Sequence, residues 1–279
     1  MLNLSLVLNQ KPLKYKREDN KLGKKGKTAR LKRKPAPKYW PIHRKESLWV
    51  VKPVAGPHSL QTCLPMTLVL RDMLKVAGTR REGKLILSEG KIQVNGIVRK
   101  KDDFPIGLMD VISIPTANQY YRVVPSHKGL VLSTISKEEA KYRLVRVEDK
   151  STTKVGVQIA LHDGTNMLIK VADPKNPVEV TYETFDILKI NIADGQVAEK
   201  LKTKEGNTAV ITGGKNIGVQ GKIVEIEKTE AKKRRQALVT IEDNKGIRCQ
   251  TILDFIFSID SNEPAPIIVA EEPEENTVD

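Results

Sequence analysis

Lysine and arginine are the residues through which this 279-residue chain could do chemistry, and their spacing suits polyanions. Residues 1–44 hold fourteen of them against only Glu18 and Asp19. Lys24, Lys25, Lys27, Arg30, Lys32, Arg33, Lys34, Lys38 and Arg44 crowd a stretch too poor in apolar residues to build a core. It is expected to stay extended, as an arm over 1–44, until a polyanion neutralises it. Each phosphate met by such a cation releases condensed counterions, which favours nucleic acid. The block lacks the apolar stripe that would insert into a membrane surface. A second cluster, Glu230-Ala231-Lys232-Lys233-Arg234-Arg235, lies between two predicted strands, where a basic loop can meet phosphate. Trp40 and Trp49 either anchor the proline-rich segment 38–60 or stack on bases or riboses. Trp40, His43 and His58, set among these cations, join the nucleic-acid candidates.

Enzymatic motifs fare badly. Gly78-Thr79-Arg80-Arg81-Glu82-Gly83-Lys84-Leu85 has the spacing of a Walker loop. Leu85 replaces the hydroxyl that would hold magnesium, and no buried strand precedes it. Gly214, Gly218 and Gly221 are spaced wrongly for a dinucleotide fingerprint. His43, His58, His127 and His162 lack metal-ligand spacing, and no nucleophile elbow is present. Cys63 and Cys249 stand far apart and read as reduced thiols of an intracellular protein. With 4% aromatic residues, an aromatic-lined small-molecule pocket is not expected. The sequence thus predicts no catalysis, no cofactor, no metal and no small-molecule substrate.

The elements that must position the cations follow from periodicity. Met66, Val69, Leu70, Met73, Leu74 and Ala77 have helical spacing, predicting a helix over 65–78 with Gly78 as its C-terminal cap. A second helix, about 79–89, opens at Thr79 and stops at Gly90. The run 91–100 is a predicted hairpin turning at Asn95-Gly96, and 110–114 a further strand. The run from His58 to Ile114, with "EGKIQVNGIVRKKDD" at its heart, resembles the small RNA-binding module of bacterial-type small-subunit ribosomal protein four. Some pseudouridine synthases and tyrosyl-tRNA synthetases share that module. The resemblance implies phosphate contacts at Arg71, Lys75, Arg80, Arg81, Lys84, Lys91, Arg99 and Lys100, reading RNA by shape.

Between about 118 and 200 seven short runs, YYRVV through DILKINI, alternate with turn signals and predict a small barrel or sandwich. Ser136 to Ala140 fits a short capped helix. The segment 206–228, GNTAVITGGKNIGVQGKIVEIEK, is similar to a KOW element, whose glycines let the loop backbone approach a ribose-phosphate surface. That resemblance adds Lys215 and Lys222 to the candidates. LVTIED, IRCQTI and DFIFSI would complete a small SH3-like barrel.

The net charge is +14, although 260–279 carries seven acids and no Lys or Arg. No apolar run approaches the roughly 20 residues needed to span a bilayer. MLNLSLVLNQ lacks a positive n-region and a cleavage site, so export is not expected, and native translation is expected to start near Leu22.

The order of these parts resembles the archaeal and eukaryotic-type small-subunit ribosomal protein four-e family, carried most specifically by "GPHSLQTCLPMTLVLRDMLKVA" and "GNTAVITGGKNIGVQGKIVEI". The expected fold class is α+β multidomain: arm 1–44, a two-helix-plus-hairpin module 45–117, a small all-β domain 118–202, a KOW SH3-like barrel 203–260 and an acidic tail 261–279. The resemblance implies a non-catalytic constituent of the cytoplasmic ribosome, with small-subunit rRNA and neighbouring small-subunit proteins as partners. A KOW-containing transcription elongation factor and an accessory chain of an RNA-modifying enzyme are the alternatives.

Overall fold

The computed structural model describes residues 30–43, 45–171, 181–227, 234–243 and 246–260. Its strands in chain order are β1 (Leu31–Lys32), β2 (Trp49–Val50), β3 (Leu64–Pro65), β4 (Gln93–Val94), β5 (Ile97–Val98), β6 (Pro105–Ile106) and β7 (Val111–Ile114). Then come β8 (Gln119–Ser126), β9 (Gly129–Thr134), β10 (Tyr142–Thr152), β11 (Gly156–Leu161), β12 (Asn166–Lys170), β13 (Ile187–Asn191) and β14 (Val197–Leu201). The last five are β15 (Thr208–Ile211), β16 (Gln220–Glu227), β17 (Leu238–Asp243), β18 (Arg248–Ile252) and β19 (Ile256–Asp260). Two helical pieces, α1 (Met66–Leu68) and α2 (Arg80–Ser88), lie between β3 and β4. The architecture is α+β and rich in strand.

Three five-stranded antiparallel sheets dominate, with orders β5-β4-β7-β8-β9, β12-β11-β10-β13-β14 and β18-β17-β16-β15-β19. The first crosses the boundary expected at 117/118, because β7 pairs with β8 from Val111↔Arg122 to Ile114↔Gln119. Pro115–Ala117 makes only a tight turn there, with Asn118 in the left-handed region at φ 51°. A short connection of this kind favours pairing of sequence neighbours. The strand VAEKL was not anticipated, because its outer residues are polar and it alternates poorly.

The predicted helix 65–78 is shorter and wider. After α1 the chain makes a π turn over Val69–Met73. Lys75 then takes the left-handed conformation at φ 53°. The Leu70 carbonyl accepts the Val76 and Ala77 amides at 2.9 and 3.4 Å, which closes the helix three residues before Gly78. Five consecutive residues, Met66 to Leu70, are buried. Surrounded on all sides, this element answers to packing more than to an amphipathic period. The Gly78 amide serves the next helix, donating to the Glu82 carboxylate at 2.9 Å. Thr79 Oγ1 accepts the Glu82 amide at 3.3 Å, so Thr79-x-x-Glu82 is a capping box.

The turn at Asn95-Gly96 forms as expected, with φ 49° and 76°. Ser136 and Glu139 make a second reciprocal cap, Glu139 N–H to Ser136 Oγ at 3.2 Å and Ser136 N–H to Glu139 Oε2 at 3.3 Å.

Each sheet owns a core, and a fourth cluster joins them. Met109 of the first unit, Leu144, Ile187 and Leu201 of the second, and Val210, Phe257 and Ile259 of the third are buried together. The part of the arm within the described residues is folded, contrary to the expectation of an unstructured 1–44. Leu31 is 7% exposed, and it packs with Ala36, Trp40, Leu64 and Leu70. Pro37 and the turns around it let this segment reach the core without regular structure.

Candidate nucleic-acid interface

Strand alternation builds the first part of the site. In β1, Leu31 points into the core while Lys32, like Arg30 before it, points out. Lys32 is register partner of Trp49. Arg30 lies 5.8 Å and Lys32 5.6 Å from the centre of the Trp49 ring. Lys34, Lys38 and His43 are exposed on the same folded segment. Arg33 is turned to structural use: Nε and Nη2 donate to the Ile42 carbonyl at 3.1 and 2.9 Å, pinning the segment back on itself.

Helix α2 supplies the second part. Arg80 Nε donates to Asp102 Oδ2 at 2.6 Å and Lys84 Nζ lies 4.0 Å from the same atom. Arg81 is exposed and has no ion pair among the described residues. Lys75 and Lys100 are exposed, and Lys91 pairs with Glu89 at 2.5 Å. Arg71 forks onto its neighbour, Nε to Asp72 Oδ1 at 2.8 Å and Nη2 to Oδ2 at 2.9 Å. That fork raises its already high pKa. Arg99 stacks over Phe104 at 4.4 Å with its Nε buried and unpartnered. It is half-buried and less available than Lys100.

Two candidates are removed by burial. Trp40 is 2% exposed, and its indole N–H donates to the Cys63 carbonyl at 2.8 Å. It anchors the segment and cannot stack on a base. His58 is 8% exposed and sits 2.9 Å, Nε2 to Oδ2, from Asp110. The same oxygen accepts the Gly107 amide at 2.8 Å, and Oδ1 accepts Asn95 Nδ2 at 2.7 Å. Burial alone would raise the Asp110 pKa, but these hydrogen bonds and the imidazole charge hold it below its ordinary value. Gly107 is required there, since a Cβ would lie 2.3 Å from the His58 ring. The group ties the "GPH" element, the hairpin turn and β7 together.

In the third sheet Lys215 and Lys222 are exposed. Arg234 and Arg235, expected to meet phosphate, are engaged by protein. Arg234 Nη2 lies 3.1 Å from Glu183 Oε2. Arg235 lies 3.4 Å from Glu148 Oε2 and 3.6 Å from Asp254 Oδ1, and donates to the Glu148 carbonyl at 3.0 Å. Lys24, Lys25, Lys27, Arg44, Lys232 and Lys233 lie outside the described residues.

Sequence reasoning missed the arginines that join the sheets. Arg146 Nη1 donates to the Asp254 and Ile256 carbonyls at 2.7 and 3.0 Å, while Nη2 reaches Glu148 Oε1 at 2.6 Å. Within the second sheet's unit, Arg143 pairs with buried Asp163 of the β11–β12 turn. His162 accepts the Arg146 amide at Nδ1, 3.0 Å, and donates from Nε2 to the Leu108 carbonyl at 3.1 Å. Those two partners require a neutral ring, and burial accordingly pushes the His162 pKa down. No spacing in a strand distinguishes such an arginine from one that faces solvent.

The three sheets meet around a cleft of about 650 Å³, with Tyr39, His127, Gly129, Gly213 and Phe255 among its walls. A Cβ at Gly218 would lie 2.9 Å from the Ser126–His127 backbone, and one at Gly129 would lie 2.7 Å from Tyr39. These close approaches seat the glycine loop of the third sheet, which carries Lys215, beside the folded arm, which carries Lys38. Among the described residues no group of three His, Cys, Asp or Glu could hold a metal ion, and no helix is long and apolar enough to cross a membrane. Burial pushes the Cys63 thiol up to about 12, which leaves it protonated and unreactive.

Comparison with known proteins shows the family. Residues 117–197 match the model of "Ribosomal family S4e", and residues 25–61 match that of the "RS4NT (NUC023) domain". Small ribosomal subunit protein eS4 of Staphylothermus marinus is 48% identical over 236 residues, covering 84% of this chain and 93% of the relative. That of Desulfurococcus amylolyticus is 46% identical over 245 residues, covering 87% and 96%. The crystal structure of 30S ribosomal protein S4e from Thermoplasma acidophilum superposes with a TM-score of 0.59 at 28% identity, covering 72% of this chain and 96% of that one. With relatives this similar over nearly their whole length, the chain belongs to the eS4 family of small ribosomal subunit proteins.

Proposed function

We propose that the chain is a structural constituent of the cytoplasmic small ribosomal subunit that binds its rRNA and neighbouring small-subunit proteins. It works by positioning, not by catalysis. The observation that carries this reading is the set of exposed cations, Arg30, Lys32, Lys34, Lys38, Lys75, Arg81, Lys84 and Lys100, borne by elements that share one hydrophobic core with the helices. Charges held on one folded body can match phosphates of fixed spacing without ordering the backbone at each contact.

On this reading α1, α2 and the β4–β5 hairpin form the RNA-binding module that the sequence resembles, its sheet continuing through β9. Residues 135–202 form a β domain that spaces it from a KOW-type, SH3-like barrel over 203–260. The antiparallel order β18-β17-β16-β15-β19 and the positive-φ glycines of the loop 213–218 support that assignment. The basic residues before Arg30 would add phosphate contacts, and the tail 261–279 would stay clear of the RNA.

Salt dependence tests the reading. Each lost phosphate contact lowers the slope of log K against log salt by about 0.7–0.9. Removing residues 1–29 is expected to lower the slope for small-subunit rRNA by several such steps while the thermal midpoint stays put, since the described core begins at Leu31. An unchanged slope would remove the arm from the interface. A cut at residue 38 would not be a clean test, because it also deletes Leu31 and Ala36 from the core.

A further inference from the structure

The two tryptophans of the arm segment part company. Trp40 is sealed in the core, whereas Trp49 is 48% exposed and stands beside Leu48, 66% exposed. The β1–β2 ribbon explains the orientation. Leu31 and its partner Val50 turn toward the first core, so Lys32 and its partner Trp49 must turn away from it. The result is a flat aromatic surface on the polar side of a two-stranded ribbon, with two cations within 6 Å of the ring centre. The indole N–H makes no hydrogen bond among the described residues, and strand register together with Arg30 and Lys32, which lie over the ring, holds the side chain in its outward position.

A ligand suited to this arrangement needs a planar face for the indole and negative charge a few ångströms away for Arg30 and Lys32. A nucleotide joins the two. Bases within a duplex have both faces occupied, so the base must be unpaired. We propose that Trp49 is a stacking platform for an unpaired nucleobase of the bound RNA, with Arg30 and Lys32 holding the phosphates beside it. The site rests on the RNA-binding reading above and names a contact within it. It discriminates weakly among bases, because every base offers a π-face, and it fixes the register of the strand entering the arm.

The two kinds of contact separate by salt. Stacking releases no counterions, whereas each cation does. Trp49→Ala in the full chain should weaken binding to protein-free small-subunit rRNA about ten- to a hundredfold at every salt concentration, leaving the slope unchanged. Trp49→Phe should recover part of the loss. Arg30→Ala with Lys32→Ala should lower the slope by about 1.5. Trp49 emission should be quenched on titration with the rRNA, and the Trp49→Phe variant, reporting only buried Trp40, should show no quenching. Trp40 emission also checks that each variant is folded.

Wild-type affinity in Trp49→Ala, or quenching only when other subunit proteins are added, would overturn the proposal and leave rRNA binding intact. The second result would make the platform a protein contact. Failure of the wild-type chain to bind the rRNA at all would instead sink the functional reading on which the site rests.

Discussion

The junction of the three sheets and the outer face of the arm and α2 use the same residue type for opposite purposes. At the junction, Arg146 and Arg235 spend their donors on Glu148 and on main-chain carbonyls of partner elements. On the outer face, Arg81 has no protein ion pair among the described residues, and Arg30 rests against an exposed ring. Helix α2 shows the intermediate case, where Asp102 neutralises part of Arg80 and Lys84. The lesson is that a cation's role depends on whether carboxylates and carbonyls of the fold reach it first. An arginine that the fold has satisfied is glue, and one left in water is available to phosphate.

Substitutions can break this contrast. The largest effect is expected for Arg146→Ala, which strips two carbonyls and Glu148 of a mostly buried partner. Loss of one side of a buried pair typically costs about 3–5 kcal/mol. Urea denaturation should show a fall of that order, with the rRNA salt slope unchanged among molecules that remain folded. If Arg146→Ala is stable but loses slope, the junction has been misassigned.

Next comes a pH effect at the same junction. The lowered His162 pKa means the folded chain binds fewer protons than the unfolded one at that ring. The associated stability is complete above the ordinary histidine value of about 6.5 and is lost as pH falls from there through the lowered value. Between pH 7.5 and 5.5 the wild type should therefore lose more stability than His162→Gln, compared by urea midpoints. Equal losses would show that His162 is not the group responsible. Asp110 acts in a lower range, its contribution vanishing only as pH falls below the ordinary aspartate value.

Thr79→Ala removes the hydroxyl of a capping box and should cost about 1 kcal/mol, read as a lowered thermal midpoint. The smallest stability effect belongs to the outer face. Arg81→Ala should change stability by less than about 0.5 kcal/mol while lowering the rRNA salt slope by about 0.7–0.9. A stability loss comparable to that of Arg146→Ala would erase the distinction between the two regions.

Local signals carried far along this chain. Asn95-Gly96 specified a hairpin because few residue pairs accept consecutive positive φ angles. Thr79-x-x-Glu82 specified where α2 starts, since one side chain closes each orphan amide. The apolar runs in TAVI, LVTIED and IRCQTI marked β15, β17 and β18, and the basic composition pointed to a polyanion. These features rest on neighbours a few residues apart, which the order of amino acids contains in full.

Other features depended on groups that meet only when the chain folds. The periodicity of 65–78 foretold a buried face but not the π turn, whose residues Val69 and Leu70 are buried while Arg71, Asp72 and Met73 are only partly so. Trp40 and Trp49 share a residue type and a basic neighbourhood, yet Cys63 and the core claimed one while strand register turned the other outward. Arg234 and Arg235 read as a phosphate-facing loop until Glu183, Glu148 and Asp254 arrived from positions distant in sequence. Composition thus determined the charge and class of the partner. Which cations remain for that partner was decided by tertiary contacts, since an ion is claimed by whatever acceptor lies within reach.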